Sequence, residues 1–302
     1  MSRSKRGAGP NPRAEGLGKY AVVGNPIAHS RSPQIHQMFA RQTGQAMTYE
    51  KLLAPIDGFD EFALALRDSG YLGLNVTVPF KIDAAKLADD LTARARLAGA
   101  VNTLKFDGDS IVGDNTDGIG FVRDVTQRLK FKLEGSAILI LGAGGGVRGL
   151  IGALLEEKPR WIAVANRTHG RAQELADEFG VEALTFDEVA AEHFDLVING
   201  TAASLLNRGV PPIDPETFDD CTLAYDLLYD ARPTPFMELA RRGRAAKVTD
   251  GLGMLIEQAA EAFALWRGVR PDTGPGYKTL RKLLDAEAGA GPEPGDAAPE
   301  AR

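Results

Sequence analysis

The sequence predicts two α/β domains, and three observations predict them. Short apolar runs alternate with segments of helical periodicity from Tyr20 to Leu91. That is the pattern of strands separated by helices, which builds a mostly parallel sheet. A second alternation starts at Ser136, where Ala137-Ile138-Leu139-Ile140-Leu141 passes directly into the glycine-rich stretch Gly142 to Gly149. The chain has 302 residues, enough for about two domains at ~150 residues each.

Composition narrows the class. Hydrophobic residues make up 44% and charged residues 25%, as in an ordinary globular protein with a full core. The net charge of −6 argues against nucleic acid or an anionic membrane as the main partner, while leaving room for a local basic pocket. The single cysteine, Cys221, excludes an intramolecular disulfide and a multi-cysteine metal site. No apolar run approaches the ~20 residues that span a bilayer. Without a disulfide or a secretory segment, the expected compartment is the cytoplasm. Residues 1–18 and 286–302 are poor in large apolar side chains. Neither end can bury enough surface to offset ordering entropy, so both are expected to be disordered tails.

Tyr20 to Gly24 reads as the first strand. It runs into Asn25-Pro26-Ile27-Ala28-His29-Ser30-Arg31-Ser32-Pro33. Ser32 suits a helix N-cap and Pro33 the first helical position, so a helix is expected to about Thr43. Met47 to Ala54 is a second strand. Phe59 to Asp68 is an amphipathic helix with Phe59, Phe62, Ala63 and Leu66 on one face. Leu72 to Val78 is a third strand, short, apolar and β-branched. Pro79 cannot donate to a ladder and ends it. Lys81 then falls just past a strand end, at the start of a helix to about Leu91. Ligands of open α/β sheets collect beyond the carboxyl ends of strands. A lysine there can be a catalytic or substrate-orienting amine; position alone favours a solvated residue on a first helical turn.

Ala100 to Leu104 and Ser110 to Gly113 form two short strands around a turn at Asp107-Gly108. Asp114-Asn115-Thr116-Asp117-Gly118 precedes a helix from Ile119 to Leu129. Turns and caps favour Asp and Asn. A cap alone does not need four such side chains in five residues, so a functional role stands beside the structural one.

In the second half the apolar strand Ala137 to Leu141 is followed by the glycine loop and a helix to Leu155. The next strand, Trp161 to Ala165, ends in Asn166-Arg167-Thr168. The glycines permit a tight turn and let backbone N–H groups approach a pyrophosphate, which a helix N-terminus also attracts. The spacing G-x-G-x-x-G fails from Gly142, where the sixth residue is Val147, and fits from Gly144 to Gly149. Between two strands and ahead of a helix, the loop reads as a dinucleotide site rather than a plain connection. An NAD site places an acid at the end of the second strand for the ribose 2′-hydroxyl. Here there is none. Arg167 can take a 2′-phosphate bidentately, and Arg171, one helical turn later, can assist, so NADPH is expected rather than NADH.

The same domain continues with a helix to Phe179 and strands near Ala183 to Thr185, Asp195 to Asn199 and Thr222 to Asp226. A helix from Pro235 to Arg242 and a short strand from Ala246 to Val248 follow. Gly251 to Arg267 is a long helix in which Leu252, Leu255, Ile256, Ala259, Ala260, Phe263 and Trp266 recur at helical spacing and read as core. Gln258 lies near that face, either as a partly buried amide bonded to backbone or as a site residue.

Assembled, these segments resemble the shikimate dehydrogenase family. The matching stretches are Gly24 to Pro33, Asn75 to Lys81, Gly99 to Thr103, Gly113 to Gly118, Gly142 to Gly149 with Asn166-Arg167-Thr168, and Asp250 to Leu255 with Gln258. They occur in family order and span nearly all of residues 19 to 286. The resemblance implies an N-terminal α/β substrate-binding domain, a Rossmann-type NADP-binding domain, and C-terminal helices that return to the first domain. The expected division is 19–117 plus 251–285 for the substrate domain and 118–250 for the cofactor domain.

The resemblance also implies an activity, the reversible reduction of 3-dehydroshikimate to shikimate by NADPH in aromatic amino acid biosynthesis. Lys81 and Asp117 would be the catalytic pair. Ser30 and Ser32 would bind the substrate carboxylate with help from Tyr229. Asn75, Thr77, Asn102 and Gln258 would line the site around the ring hydroxyls. Gly142, Ala143, Gly144, Gly145, Gly146, Asn166, Arg167, Thr168, Arg171, Gly251 and Met254 would hold NADP(H). No metal is called for. A homodimer is compatible with the resemblance, and the sequence does not fix it. One departure is Asn199-Gly200-Thr201-Ala202-Ala203-Ser204, where many relatives read N-x-T followed by Ser and Gly, in a loop near the nicotinamide.

Two rival readings stand beside this one, with a third and weaker one. A relative that oxidises quinate, with NAD, meets the objection of Arg167. A non-catalytic ligand sensor could lose Lys81 or Asp117 without penalty, and this chain keeps both. A methyltransferase, suggested by the glycine loop alone, leaves Lys81, Asp117 and Arg167 unexplained.

Overall fold

The computed structural model of the protein describes residues 17–201 and 210–290. The first half contains β1 (Gly18–Gly24), α1 (Ser32–Thr43), β2 (Met47–Leu53), α2 (Phe59–Asp68), β3 (Tyr71–Val76), α3 (Lys81–Leu87), β4 (Asp90–Leu91), α4 (Ala93–Ala98), β5 (Thr103–Asp107) and β6 (Ser110–Asp114). Its sheet has the order β2-β1-β3-β5-β6-β4. The β2, β1 and β3 strands are parallel, as the βαβ alternation predicts. The hairpin β5-β6 adds antiparallel pairing to β3, since a short turn can join only antiparallel neighbours.

The chain then crosses on α5 (Asp117–Arg123) to a second sheet. This half contains β7 (Ala137–Leu141), α6 (Gly145–Glu156), β8 (Trp161–Ala165), α7 (His169–Phe179), β9 (Glu182–Leu184), α8 (Phe186–Val189), β10 (Leu196–Asn199), β11 (Leu223–Asp226), α9 (Pro235–Arg242) and β12 (Val248–Thr249). All pairs are parallel, in the order β12-β11-β10-β7-β8-β9. This is the doubly wound arrangement, with its topological switch point between β7 and β10. The strands read as unbroken apolar runs because both faces are covered. Ile138, Ile140 and Ile198 pack on Leu150, Ile151 and Leu154 of α6. Leu139, Leu141 and Val197 face Phe194, Phe218 and Phe236 on the other side.

The last helices, α10 (Leu252–Arg267) and α11 (Gly274–Ala290), return to the first sheet. Leu252, Ile256 and Phe263 of α10 pack with Ile35 and Phe39 of α1. Trp266 stacks on Tyr20 of β1 with ring centroids 4.7 Å apart and donates its indole N–H to the Leu104 carbonyl at 3.0 Å. On the opposite face Ala21, Val23, Leu74 and Val76 meet Phe59, Ala63 and Phe80.

Several sequence-based boundaries shift for identifiable reasons. Ser32 is not the cap of α1; Arg31 is, and Ser32 is the first helical residue, its N–H donating to Ser30 Oγ at 3.3 Å. The helix expected to Leu91 stops at Leu87, because Asp89 turns to pair with Ile111 through backbone and side chain. The short β4 and α4 follow, with Thr92 capping α4. The helix expected from Ile119 begins at Asp117, and at Asp124 it widens into a π-turn through Arg128. The tail expected from 286 begins later. Helix α11 runs on through Ala290, where Ala and Glu are good helix formers, and Glu287 pairs with Arg31 at 2.6 Å. The N-terminal tail expected through residue 18 ends sooner, since Gly18 already pairs in β1. The remaining tail residues, 1–16 and 291–302, lie outside the described residues.

Candidate active site

A cavity of about 540 Å³ opens beyond the carboxyl ends of β1 and β3, with the segment after β11 and one face of α10 closing its other side. The structure brings nine of the sequence-predicted residues to its wall: Ser30, Ser32, Asn75, Thr77, Lys81, Asn102, Asp117, Tyr229 and Gln258. Lys81 stands there because β3 ends at Val76 and α3 starts five residues later, and Val101 N–H holds the Lys81 carbonyl at 2.8 Å.

Lys81 Nζ donates to Asp117 Oδ2 at 2.6 Å. Asp117, the first residue of α5, is only 3% exposed. Its other oxygen accepts from Asn102 Nδ2 at 2.8 Å, and its N–H donates to Asn115 Oδ1 at 3.1 Å. Asn102 is fixed in turn. Its Oδ1 accepts from the Thr116 N–H at 2.9 Å, and its Nδ2 also lies 3.0 Å from Gln258 Oε1. Each carboxylate oxygen thus has a donor of its own, and the ammonium keeps two further N–H groups for the cavity.

The Asp114 to Asp117 cluster divides into two roles that sequence alone could not separate. Asp114 accepts from Arg94 Nε and Nη2 at 2.7 and 2.5 Å and from Thr92 Oγ1 at 2.6 Å. Burial pushes its pKa up, but Arg94 and Thr92 outweigh that and hold it below the ordinary carboxylate value. Asp114 therefore ties α4 to β6, while Asp117 turns into the cavity.

Ser30 and Ser32 sit at the N-terminus of α1, where backbone N–H groups and the helix dipole favour an anion. Their hydroxyls lie 3.2 Å apart. Arg31 between them pairs with Glu287, and both side chains line the same cavity. Tyr229 reaches in from the loop after β11, and burial raises its phenol pKa, keeping it a neutral donor. Asn75 Oδ1 accepts from the Tyr49 hydroxyl at 2.6 Å. Tyr49, and Thr103 beside it in that network, were read from sequence as strand residues only. Their contact depends on the registers of β2 on β1 and β5 on β3, which alternation does not specify.

The glycine loop fits a dinucleotide. Gly142 has φ 107°, and a Cβ on it would lie 3.0 Å from the Gly200 carbonyl group. A side chain is excluded there twice over. Gly144, Gly145 and Gly146 are exposed at the start of the 12-residue α6, and a Cβ on any of them would meet nothing within 4 Å. That open cradle, with Ala143 half-buried behind it, lets phosphate reach backbone N–H groups. At the end of β8, Asn166 Nδ2 donates to the Thr168 carbonyl at 2.9 Å. Arg167, Thr168 and Arg171 are exposed, and neither arginine forms an ion pair among the described residues. Two further residues expected at the cofactor lie at the start of α10. Gly251 and Met254 are buried where α10 begins, Gly251 against the Leu227 carbonyl and Met254 with its N–H on the Tyr225 hydroxyl at 3.2 Å. Of the departing loop, Asn199 Oδ1 accepts from Thr201 N–H and Oγ1 at 3.1 and 2.7 Å; Ala202 to Ser204 lie outside the described residues.

Three stretches match described families: residues 22–104 the shikimate dehydrogenase substrate binding domain, residues 124–208 shikimate / quinate 5-dehydrogenase, and residues 251–281 the shikimate 5′-dehydrogenase C-terminal domain. The chain is 53% identical over 270 residues to shikimate dehydrogenase (NADP(+)) of Herminiimonas arsenicoxydans, covering 88% of this chain and 98% of that protein. It is 49% identical over 295 residues to the protein of the same name from Cupriavidus taiwanensis, covering 92% and 98%. Its structure is similar to shikimate 5-dehydrogenase of Thermus thermophilus in complex with NADP(H) and shikimate, with TM-score 0.80, 33% identity, and 89% and 100% of the two chains covered.

Proposed function

The chain belongs to the shikimate dehydrogenase family, and from that premise we propose that it reduces 3-dehydroshikimate to shikimate with NADPH, reversibly, through the pair Lys81 and Asp117. It is an NADP-dependent oxidoreductase acting on a CH–OH group, as its relatives are named. The observation that carries the residue assignment is the 2.6 Å contact between Lys81 and Asp117 in the wall of a cavity that also holds Ser30 and Ser32.

The glycine loop and Arg167 would hold NADPH, which would supply hydride to the ring ketone and so build negative charge on the ketone oxygen. The Lys81 ammonium stabilises that charge and delivers a proton to it. Asp117 aims the amine, and Asn102 keeps the carboxylate from rotating. In the reverse direction the Lys81 amine accepts the hydroxyl proton. Ser30 and Ser32, with the Tyr229 phenol, bind the carboxylate and so fix the ring. Asn75, Thr77 and Gln258 meet the ring hydroxyls, and this positioning accounts for much of the rate.

The test follows NADPH absorbance on adding 3-dehydroshikimate. Lys81→Ala should lower turnover by about 10²–10⁴-fold while the protein still binds shikimate. Turnover at the wild-type rate would remove Lys81 from the chemistry. Rates with quinate and NAD⁺ should stay far below those with shikimate and NADP⁺.

No helix among the described residues is long and apolar enough to cross a membrane. The same reading takes the protein to be cytoplasmic and homodimeric, and sedimentation velocity tests the second.

A further inference from the structure

A hydrogen-bond chain leads from the reacting pair into the first domain, and two of its members stand behind the cavity wall. Asp117 Oδ1 accepts from Asn102 Nδ2 at 2.8 Å. Asn102 Oδ1 accepts from Thr103 Oγ1 at 2.9 Å. Thr103 Oγ1 accepts from Asn75 Nδ2 at 3.0 Å, and Asn75 Oδ1 accepts from Tyr49 OH at 2.6 Å. Thr103 is 0% exposed and Tyr49 5%. Neither lines the cavity.

The direction of every bond follows from one fixed donor. The Thr116 backbone N–H points at one end of the Asn102 amide, so that end is oxygen, and the other end gives its N–H to the Asp117 carboxylate. Thr103 has one hydroxyl proton. It must donate that proton to Asn102 Oδ1, and it can then only accept from Asn75. The Asn75 nitrogen is thereby fixed towards Thr103 and the Asn102 carbonyl, 3.3 Å away. Its oxygen takes the Tyr49 proton and keeps one lone pair for the cavity. The Tyr49 ring cannot swing out of line. His36 stacks on it at 4.1 Å with the planes 6° apart, and Trp266 lies 6.3 Å away at a tilt.

We propose that Tyr49 and Thr103 are positioning residues for the reaction, fixing Asn75 as an acceptor for a substrate hydroxyl and holding Asn102 against Asp117. This deepens the functional reading and rests on it. Without the Tyr49 hydroxyl the Asn75 oxygen loses the donor that anchors it, and the amide pivots about its remaining bonds to Thr103 and the Asn102 carbonyl, out of line with the substrate hydroxyl. Without the Thr103 hydroxyl both amides lose a partner at once, and the restraint on Asp117 slackens.

The experiment is steady-state kinetics with 3-dehydroshikimate and NADPH on Tyr49→Phe, Thr103→Val, Thr103→Ser and Lys81→Ala, alongside NADPH affinity from fluorescence. Tyr49→Phe should raise KM for 3-dehydroshikimate about tenfold with NADPH affinity unchanged. Thr103→Val should lower kcat about tenfold, and Thr103→Ser, which keeps the hydroxyl, should restore it. A role in folding alone would depress every parameter together and would not single out one substrate. An inactive Lys81→Ala protein combined with wild-type kinetics in Tyr49→Phe and Thr103→Val overturns this inference and leaves the functional reading standing. An active Lys81→Ala protein overturns both. Should Thr103→Val not fold, Tyr49→Phe decides alone: its KM either rises for one substrate or the inference fails.

Discussion

Replacing His36 with Phe should make the protein more resistant to acid, by an amount that follows from one buried ring. The imidazole is 0% exposed, neither ring nitrogen has a hydrogen-bond partner among the described residues, and it lies between Tyr49, Phe39, Phe263 and Trp266. Burial pushes its pKa from 6.5 down to about 3, with the nearby Asn75 amide opposing only part of that. A group with a lower pKa in the folded state contributes stability above its unfolded pKa and loses it as the pH falls towards the folded one. For His36 that window runs from 6.5 to about 3. The proton balance gives a loss of about 2 kcal/mol at pH 5 relative to pH 8. Asp226 works the other way. Its pKa is raised from 3.8 to about 6 by burial, so it gains about 1.4 kcal/mol over the same interval.

In the wild-type protein the second offsets most of the first, which is why the test is a difference between proteins. Asp226 and every other titrating group cancel between wild type and His36→Phe. So does the pH-independent strain of a larger ring, about 1–3 kcal/mol. The stability of the variant minus that of wild type should therefore rise by about 2 kcal/mol from pH 8 to pH 5. Urea unfolding followed by Trp266 fluorescence in a Trp161→Phe background reads it locally, since Trp266 lies 5.4 Å from His36. A difference that stays flat within about 0.5 kcal/mol would mean that the ring titrates normally and that its burial costs nothing in acid.

Three further outcomes follow from the glycines and from Arg167. Gly120→Ala would put a Cβ 2.7 Å from the Gln258 backbone nitrogen, forcing α5 and α10 apart. It should cost about 1–3 kcal/mol in unfolding free energy and lower kcat/KM more than tenfold, because Asp117 and Gln258 ride on those two helices. Gly146→Ala meets open space, so its unfolding midpoint should hold or rise, by up to about 1 kcal/mol of helix propensity, while NADPH binding weakens against the new methyl group. Arg167→Gln should raise KM for NADPH about 10–100-fold, the worth of a hydrogen bond to a charged group, and leave KM for NADH nearly unchanged. Fluorescence titration and steady-state kinetics with both cofactors check the last two.

How much of this was legible in the sequence depended on whether a signal is local. Ala137 to Leu141 and Trp161 to Ala165 could be read to the residue because strands buried on both faces are apolar throughout. The glycine loop and Arg167 were legible because they follow such strands. Lys81 and Asp117 were individually visible, but their contact spans 36 residues and was supplied by resemblance. Ser32 looked like a cap because cap residues and hydroxyl ligands are the same residue types. Residues 88–91 were read as the end of one helix, since the partner that straightens Asp89 is Ile111 in another strand. Asp114 could not be told from Asp117 without Arg94. Tyr49 and Thr103 carried no local sign at all, because what they touch is decided by strand register.

The crossing of α5 over α10 and α6 has a consequence for how such an enzyme can change. Gly120 meets Gln258 there, and Gly118 meets Gly149, backbone against backbone. On the functional reading above, the residues that meet the acid are attached mostly to the first sheet, with Tyr229 after β11 the exception, and those that meet the nucleotide to the second, joined at a crossing with no room for new side chains. Selection can therefore rewrite the stretch from Asn166 to Arg171 to change the electron donor, or Ser30 to Thr77 to change the acid, each without disturbing the other. The crossing itself is the part that cannot drift. New chemistries on this scaffold are expected to inherit those glycines even where every substrate ligand has been replaced.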